Sequence, residues 1–413
     1  MENKKKNVKN AAPVRVLHLI DRLHGGGVES LLWDIVRLTQ PDQVKHLVIT
    51  FSPDKGNWVY ADHLRKKGAY LQVPKRRVLK LGRVPIAKFL IRYTSTLWHV
   101  FKSSILFRPD IIHVHGKYIY PIGLLSKVVL RRPVVHSVPC LFSQMVEQGK
   151  PWLPKLYTRF HSLVDCFFSF LPQDELLKLG IPVSKVFPMR GSLDLQEINC
   201  VREEQSHHQK AIRETLHLPA NALIALSVGR LTPIKGHQFA LEALQALLPK
   251  FPNLHLLVIG EGKQRAKLEE EAKTLGIYHH VHFLGFQKAL LPFYAAASVY
   301  LRTAVLEAEN FCSHLAMGMG LPIVGFDPGV KNELIKKVGH GILVPNQNVK
   351  ALSDAVAQIL TMPDQGKEIG ARGIEFSQGN MDIRQAIEDI AAVYKNLRDE
   401  VDIQQMAGVL RTF

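Results

Sequence analysis

The feature that most constrains the fold is a repeated alternation of apolar runs of strand length with amphipathic runs of helical period. In the first half, the runs predicted to be strands are residues 14–20, 46–51, 111–114, 134–138 and 164–170. In the second half they are residues 222–228, 254–259, 281–283, 299–301, 323–326 and 342–344. Because helical patterns separate the strands, both halves are predicted to be doubly wound α/β units with parallel sheets. Such sheets bind ligands at the carboxyl ends of their strands, which predicts a site in a cleft between two domains.

Length and composition agree with a two-domain globular chain. The 413 residues suffice for two domains of ordinary size. No apolar run approaches the roughly 20 residues that span a bilayer, and the basic N-terminus lacks the apolar core of a secretory signal. The four cysteines are widely spaced and form no metal-ligand pattern, so a reducing cytoplasm is the expected setting.

The positive charge is concentrated in the first half of the chain. The formal net charge is +17, from 53 Lys+Arg and 36 Asp+Glu. Residues 1–195 hold 31 of these cations and 13 of the acids, whereas the remainder holds 22 and 23. No acid lies between Asp62 and Asp110, a stretch with twelve Lys or Arg. Such a field attracts anionic lipid surfaces, phosphorylated ligands or nucleic acid.

A basic loop follows the first strand of the second half. It is Val228-Gly229-Arg230-Leu231-Thr232-Pro233-Ile234-Lys235-Gly236, and a helical pattern follows at 237–249. A helix N-terminus presents unpaired N–H groups and a positive dipole end, and two cations beside it can neutralise a diphosphate. Arg230 and Lys235 are therefore predicted to bind an anion, although exposed loops of this kind also carry such residues without a ligand.

Four segments together resemble the retaining glycosyltransferases of family 4, also called glycosyl transferases group 1, which have the GT-B fold. The first two are Gly25-Gly26-Gly27-Val28-Glu29 and Asp110-Ile111-Ile112-His113-Val114-His115-Gly116. The third is the basic loop, with Val258-Ile259-Gly260-Glu261-Gly262 and Phe283-Leu284-Gly285 downstream. The fourth runs from Glu307 through residues 316–324, 332–334 and 341–345. The resemblance covers residues 14–397 and implies two Rossmann-like, doubly wound parallel-sheet domains facing a central cleft.

Domain boundaries follow from the pattern and from the resemblance. Residues 1–11 are expected to be a disordered basic tail, and the polar stretch 199–209 is expected to be the linker. Residues 12–198 would form the N-terminal, acceptor-binding domain, and residues 210–382 the C-terminal, nucleotide-sugar-binding domain. The resemblance also implies that a helix within residues 385–413 packs back on the first domain.

The resemblance implies transfer of a hexose or a derivative, with retention, from a UDP- or GDP-linked sugar. The expected acceptor is a saccharide or a lipid-linked sugar in cell-envelope polysaccharide or glycolipid synthesis. Arg230 and Lys235 would bear the leaving phosphates and Glu307 would orient the sugar, while Gly26 and Gly27, which have no Cβ, would let the backbone approach closely. The further positions implied to bind the donor are Gly260, Glu261, Leu284, Gly285, Asn310, Phe311 and Leu315. No metal or other cofactor is expected, because the sequence has no Asp-x-Asp segment to hold a cation against the diphosphate.

Two positions depart from the family's pattern. The family usually has a second glutamate eight residues after Glu307, where it holds the ribose, but here Leu315 occupies that position and cannot accept a hydrogen bond. The loss would remove about 1.5–3 kcal/mol of nucleotide binding. The family's histidine at the donor sugar is Pro139 here, and His136 would point to the other face of the strand. His136 is therefore expected to be a buried structural histidine.

Several alternatives remain open at this stage. The departures fit an inactive paralogue that acts as a scaffold or partner subunit, and the same cleft would also serve a GT-B epimerase or phosphorylase. Glu309 would contact a sugar hydroxyl, repel the diphosphate, or carry a solvated loop charge. His113 and His115 alternate on one face at a strand end, where they would either line the acceptor side or belong to the core.

The most basic part of the chain contains an amphipathic helical pattern at residues 86–107. Its apolar face comprises Ile86, Phe89, Leu90, Tyr93, Leu97, Val100 and Phe101. Its polar face comprises Lys88, Arg92, His99 and Lys102. Such a helix lies on an anionic membrane or packs on its own domain. We therefore expect peripheral association with the inner face of the cytoplasmic membrane. Nucleic-acid binding is not expected, because no RNA-recognition or zinc motif is present. The sequence does not indicate an oligomeric state.

Overall fold

The computed structural model describes residues 12–23, 27–52, 60–72, 85–116, 118–138, 159–169, 176–177, 180–189, 193–305, 311–327, 329 and 334–400. The chain divides into two compact units. The N-terminal unit comprises Met1–Met189 with Arg384–Phe413, and the C-terminal unit comprises Arg190–Ile383. Each unit contains one parallel sheet, as the alternating pattern predicts.

The N-terminal unit is built on a seven-stranded sheet in the order β3-β2-β1-β4-β5-β6-β7. Its strands are β1 (Val14–Ile20), β2 (Val44–Thr50), β3 (Tyr70–Gln72), β4 (Ile111–His115), β5 (Val134–Val138), β6 (Cys166–Ser169) and β7 (Val186–Pro188). Its first helices are α1 (Gly27–Leu38), α2 (Ala61–Lys66), α3 (Pro85–Phe107) and α4 (Tyr120–Leu130). The central strands β4 and β5 are buried along their whole length, because helices cover both faces of the sheet.

The C-terminal unit has a six-stranded parallel sheet in the order β10-β9-β8-β11-β12-β13. Its strands are β8 (Leu223–Val228), β9 (Leu254–Ile259), β10 (Val281–Gly285), β11 (Val299–Arg302), β12 (Ile323–Phe326) and β13 (Gly341–Val344). Its helices are α5 (Leu195–Glu203), α6 (Gln205–Thr215), α7 (His237–Leu247), α8 (Arg265–Thr274), α9 (Leu291–Ala296), α10 (Phe311–Gly318), α11 (Leu334–Val338), α12 (Val349–Thr361) and α13 (Pro363–Asn380).

The polar stretch 199–209, expected to be a linker, instead belongs to helices α5 and α6 of the C-terminal unit. None of the α6 residues is buried, so its composition resembles that of a loop. The helix is nevertheless attached to α9, because the side-chain amides of Gln205 and Gln209 donate to the Ala295 carbonyl at 3.2 and 3.3 Å. The division between the units therefore falls at residues 189–190, earlier than the polar composition suggests.

The last helix, α14 (Ile383–Arg398), contributes most of its residues to the N-terminal unit. The Tyr394 side chain is fully buried, and its hydroxyl lies 2.5 Å from His113 Nδ1 on β4. Near the end of the helix, Arg398 Nη1 donates to the Ala12 carbonyl at 2.7 Å. The C-terminal helix thus closes one face of the first sheet.

Helix α3 uses the predicted apolar face to pack on its own unit. Val100 is buried, and Tyr93 and Leu97 are partly buried against the core of the sheet. Phe101, assigned to the same face, is exposed instead. The side chains of residues 85–90, including four of those assigned to the two faces, lie outside the described part of the structure. Among the described helices, none is both long enough and apolar enough to cross a bilayer.

Candidate functional site

The topology of the C-terminal sheet has a switch point between two strands, which is where open α/β sheets bind ligands. The strand order reverses at the β8/β11 pair, and the loops after these strands leave the same edge because the sheet is parallel. Such a switch point forms a crevice in open α/β sheets. The loop after β8 contains Arg230 and Lys235, and β11 ends at Arg302. The predicted anion-binding residues are therefore at the position where the fold itself favours a ligand.

The two loops at this switch point are held to each other. The Val305 amide donates to the Ile234 carbonyl at 2.9 Å, and the Thr303 hydroxyl donates to the Lys235 carbonyl at 3.2 Å. Gly236 has a φ of +64°, and a Cβ there would lie 2.1 Å from the Thr303 carbonyl oxygen. Glycine is thus required where the loop enters α7. The loop that presents Lys235 is therefore preorganised.

The switch point is rich in cations. Arg230 is exposed, and no carboxylate in the described part of the chain forms an ion pair with it. Lys235 is half-buried and lines a small pocket together with Arg302, whose side chain is only 3% exposed. The remaining lining residues are Ser227, Val228, His237, Tyr300, Leu301, Thr303 and Ala304. A pocket with two cationic side chains in its wall favours an anionic ligand.

Arg302 was not identified from the sequence. The sequence feature that could have indicated it is an arginine at the end of an otherwise apolar buried strand. Such an arginine is uncommon because burying a charge is costly. The charge of Arg302 also affects the pKa of a nearby group. Burial, and in second place the charge of Arg302, lowers the pKa of His314 to about 4. Arg302 also contributes, after Lys336 and the Gly329 amide, to lowering the pKa of Asp327.

His237 opens α7 beside the basic loop. Its Nδ1 lies 2.9 Å from the Ser227 hydroxyl, and the ring is buried. Burial lowers the pKa of His237 to about 4, and the charge of Lys235 acts in the same direction. The imidazole is therefore neutral at pH 7, and the positive charge of the site comes from the arginines and the lysine.

Four positions implied to bind the nucleotide already have structural roles. Gly260 has a φ of +142°, and a Cβ there would lie 1.9 Å from the Gly229 carbonyl oxygen. Glu261 forms an exposed ion pair with Arg265 at 3.0 Å. The Leu284 carbonyl accepts a hydrogen bond from the Gln287 side chain, and Gly285 has a φ of +68°. Contact of these residues with a nucleotide remains a prediction.

Helix α10 contains the position where the family's second glutamate is missing. Leu315 is 7% exposed and belongs to the apolar core of the C-terminal unit with Ile198 and Tyr294. Phe311, the first residue of the helix, is partly buried against the same cluster. Leu315 offers only apolar atoms to any ligand, so contact of Phe311 and Leu315 with the donor also stays a prediction.

Some predicted site residues lie outside the described part of the chain. These are Gly26, Glu307, Asn310, Glu309 and Pro139. Gly27 is described: it is the first residue of α1, it is exposed, and a Cβ added there would meet no atom within 4 Å. Neither its backbone nor its contacts with the described residues require glycine at this position.

The corresponding strands of the N-terminal sheet carry buried histidines. His113 and His115 are 0% and 1% exposed, so both side chains are core residues. His136 is also buried, as expected, and its Nδ1 lies 3.0 Å from the Val114 carbonyl oxygen. Burial is the main reason that the pKa of each of these histidines is lowered. The sequence did not identify His18 and His46, which lie on β1 and β2 on the same face of the sheet as His113 and His115.

Comparison with known proteins fits the architecture of this site. Residues 208–376 match the sequence model of the family described as glycosyl transferases group 1. The C-terminal unit is a glycosyl transferases group 1 domain. Within this domain lie the basic loop, the switch point and the buried arginine. The match does not distinguish family 4 or a retaining mechanism from other members.

Curated relatives match part of the chain. The D-inositol 3-phosphate glycosyltransferase of Corynebacterium urealyticum is 32% identical over 162 residues, which cover 37% of this chain and 38% of that protein. The lipopolysaccharide core biosynthesis glycosyltransferase LpsE of Rhizobium meliloti is 27% identical, with 43% of this chain and 51% of that protein covered. The matched regions thus span about two fifths to one half of these relatives' lengths.

Solved structures match nearly the whole chain and show its fold. Anabaena HepE in complex with UDP-glucose superposes with a TM-score of 0.76 at 18% identity, covering 92% of this chain and 99% of that one. WaaG, a glycosyltransferase involved in lipopolysaccharide biosynthesis, superposes with a TM-score of 0.67 at 17% identity and the same coverage. With its two Rossmann-like units, the chain has the GT-B fold.

Proposed function

We propose that the protein transfers a sugar from a nucleoside diphosphate to an acceptor, with retention of anomeric configuration. The observation that carries the proposal is the preorganised basic loop at the switch point of a glycosyl transferases group 1 domain. As the sugar leaves, negative charge grows on the diphosphate, and cations fixed beside it lower the barrier. The domain supplies such cations at the place where the fold favours a ligand.

Each cation has a different task in this proposal. Arg230, exposed at the end of β8, presents a planar fork that can bind two phosphate oxygens at once. Lys235, anchored by its loop, places a point charge in the pocket wall, and Arg302 adds a second charge from β11. Glu307 would orient the sugar, and Gly26 and Gly27 would allow close approach of the backbone. With this many fixed cations, we propose that transfer needs no metal ion.

The proposed donor and acceptor are supported by the cationic site and by the names of similar proteins. We propose a UDP- or GDP-linked hexose as the donor; HepE, similar in fold, is in complex with UDP-glucose. We propose a saccharide or lipid-linked acceptor in cell-envelope polysaccharide or glycolipid synthesis, since relatives such as LpsE are named for lipopolysaccharide core biosynthesis. The reaction would take place in the cytoplasm or at the inner face of its membrane.

Ligand-induced stabilisation tests nucleotide binding directly. A ligand present at about 100 times its Kd stabilises the folded protein by about 2.7 kcal/mol. We expect UDP or GDP to raise the Tm of the wild-type protein, and the double variant R230A/K235A to lose most of that rise. Lys273→Ala is the matched control, because Lys273 lies in the last turn of α8, away from the basic loop, and pairs with Glu270 on the surface.

Turnover provides the second part of the test. Removing one group that stabilises developing charge commonly lowers kcat by about 10²–10³. The measurement is the release of nucleoside diphosphate from a panel of donors, with saccharide and lipid-linked acceptors. The rate should fall strongly in the single variants R230A and K235A but not in K273A. An unchanged rate in R230A/K235A would refute the proposed role of the loop.

One observation favours a second candidate, a scaffold without transferase activity. Leu315 is part of the apolar core where the family usually has a ribose-binding glutamate. A scaffold would show no Tm rise with any nucleoside diphosphate and no nucleotide release with any donor. A Tm rise that R230A/K235A abolishes, together with nucleotide release, would exclude it.

We also propose that the N-terminal unit binds an anionic membrane surface through α3 and α4. The two helices touch, and both expose apolar side chains. On α3 these are Trp98, Phe101, Ile105 and Leu106, and on α4 they are Leu125, Val128 and Val129. Exposed cations surround them, among them Lys102, Arg108, Arg131 and Arg132. An exposed apolar patch among cations suits the boundary between lipid headgroups and acyl chains.

Vesicle sedimentation tests this surface. At low salt, the wild-type protein should bind vesicles that contain phosphatidylglycerol and should not bind vesicles of phosphatidylcholine alone. The double variant W98S/I105S should bind at least about tenfold more weakly, because it removes two apolar contacts with the membrane. Met362→Ser, which removes an exposed apolar side chain from the C-terminal unit, is the control. Equal binding of both variants would contradict the proposal.

A further inference from the structure

Three histidines from neighbouring strands meet on one face of the N-terminal sheet. The register of β1 and β4 pairs His18 with His113, and His115 lies two residues further along the same face. All three side chains are at most 1% exposed. One nitrogen from each ring can be chosen so that the three nitrogens lie within 4.8 Å of one another.

A one-way chain of hydrogen bonds determines the tautomers on this face. The Thr39 hydroxyl donates to the Ile35 carbonyl at 2.7 Å, so it must accept the bond from His46 Nε2, also at 2.7 Å. His46 is neutral, because burial lowers its pKa to about 4. Its Nδ1 is therefore an acceptor, and His18 Nε2 donates to it at 3.0 Å.

The chain continues to His115 and ends there. Since His18 has its proton on Nε2, its Nδ1 accepts from His115 Nε2 at 2.9 Å. His115 then has its proton on Nε2 and an unprotonated Nδ1. That nitrogen is buried and has no hydrogen-bond partner among the residues that the structure describes. A buried acceptor without a donor is costly, and it also provides a place to which a proton can move.

We propose that His18, His113 and His115 form a binding site for a divalent transition metal of the Zn²⁺ class. Neutral imidazole is a preferred ligand of such ions, and burial keeps these rings neutral at pH 7. The ion would enter between His18 Nδ1 and His115 Nε2. Two nitrogens bound to tetrahedral zinc at about 2.0–2.1 Å lie about 3.4 Å apart, so the present 2.9 Å separation must open by about half an ångström.

The proton balance of this step is simple. The proton that His115 Nε2 shares with His18 moves to Nδ1 of the same ring, where no proton is present. His115 Nε2 and His18 Nδ1 then both offer lone pairs to the ion, and no proton leaves the protein. His113 provides the third nitrogen, while its other nitrogen keeps its bond to the Tyr394 or the Ser137 hydroxyl.

The surroundings already have the form of an outer shell. Metal-binding histidines usually donate their second N–H to a partner that fixes the ring. Here His18 donates to His46, His46 to Thr39, and Thr39 to a backbone carbonyl. This site is in the N-terminal unit, so it is separate from the proposed metal-free chemistry at Arg230 and Lys235.

Metal content of the full-length protein tests the proposal without any activity assay. Protein loaded with Zn²⁺ or Co²⁺ and then desalted should retain about one ion per chain. His115→Asn should retain none, whereas His136→Asn should retain one, because His136 is equally buried but lies on the opposite face of the sheet. Both variants are made in the H207Q/H208Q background, which removes an adjacent pair of histidines on α6 that could bind metal adventitiously.

Two further measurements keep the test decisive if His115→Asn does not fold. Zinc-edge X-ray absorption of the wild-type protein should show at least three nitrogen neighbours at about 2.0–2.1 Å. Thr39→Val, which removes the acceptor at the end of the chain, should weaken metal binding by about 10–100-fold, and Thr39→Ser should restore it. A wild-type protein that retains no ion, or zinc bound mainly by oxygen or sulfur, would overturn the proposal.

Discussion

The two units have the same strand order around the first strand of each sheet, yet their switch points differ in chemistry. The loop after β8 carries Arg230 and Lys235, and β11 ends at Arg302; Lys235 and Arg302 line a small pocket there. At β1 and β4 the strands carry His18, His113 and His115, which are buried and neutral. The fold therefore provides the same kind of location twice, and the residues at the strand ends decide what it can bind.

Two glycines, one in each unit, differ in whether a side chain would fit in their place. In the C-terminal unit, Gly260 is required by the backbone, since any Cβ would overlap the Gly229 carbonyl. In the N-terminal unit, Gly27 faces open space. Gly260 thus has a structural explanation, whereas no contact with a described residue explains Gly27.

The largest effect is expected for Gly260→Ala. Its φ of +142° is nearly inaccessible to alanine, and the 1.9 Å approach of Cβ to a backbone oxygen cannot be relieved by a side-chain rotation. We expect a loss of about 4 kcal/mol or more in the free energy of unfolding, measured by urea titration. Gly379→Ala is the control, because Gly379 is helical, exposed and free of neighbours within 4 Å. It should be neutral or stabilising by up to about 1 kcal/mol. Equal stability of the two variants would mean that the backbone contact at Gly260 is absent.

A smaller effect, on the order of 3 kcal/mol, is expected from protonation of His237. Its pKa is about 4 in the folded protein and about 6.5 when unfolded, so below pH 6.5 the unfolded state binds the proton more readily. Stability from this group is therefore complete above pH 6.5 and is lost as the pH falls towards 4. The difference in urea midpoint between wild type and His237→Asn should shrink or reverse over this range, since all other histidines are common to both proteins. A difference that does not change with pH would show that His237 titrates normally.

Much of the fold was predictable because its signals are local. Buried parallel strands are continuous apolar runs, so the central strands were found within a few residues of their ends. Strands β3 and β7 have only three residues each and were missed. Helix α6 was taken for a linker because it buries none of its residues, and only its two glutamine bonds to Ala295 show that it is attached.

The candidate sites also differ in how far they could be predicted from the sequence. Arg230 and Lys235 are five residues apart and follow a strand, so their neighbourhood could be predicted from a short motif. The histidine layer could not, because His18 and His115 are 97 residues apart and meet only through the register of β1 and β4. Arg302 shares the pocket of Lys235 through the pairing of β8 with β11, which is also a long-range contact.

The smallest effect on stability, but an informative effect on activity, is expected for Gly27→Ala. The added methyl group meets no atom of the residues that the structure describes and the helical backbone suits alanine, so the free energy of unfolding should change by less than about 1 kcal/mol. If Gly27 allows the backbone to approach a ligand, the methyl group should raise the KM for donor or acceptor by tenfold or more at unchanged Tm. Gly68→Ala tests the opposite case, because Gly68 also has open space around it but a φ of +78°, so alanine should lower stability and leave KM unchanged. An unaltered KM in Gly27→Ala would remove the functional reason for this glycine, and the contrast with Gly260 would then be between a required residue and a tolerated one.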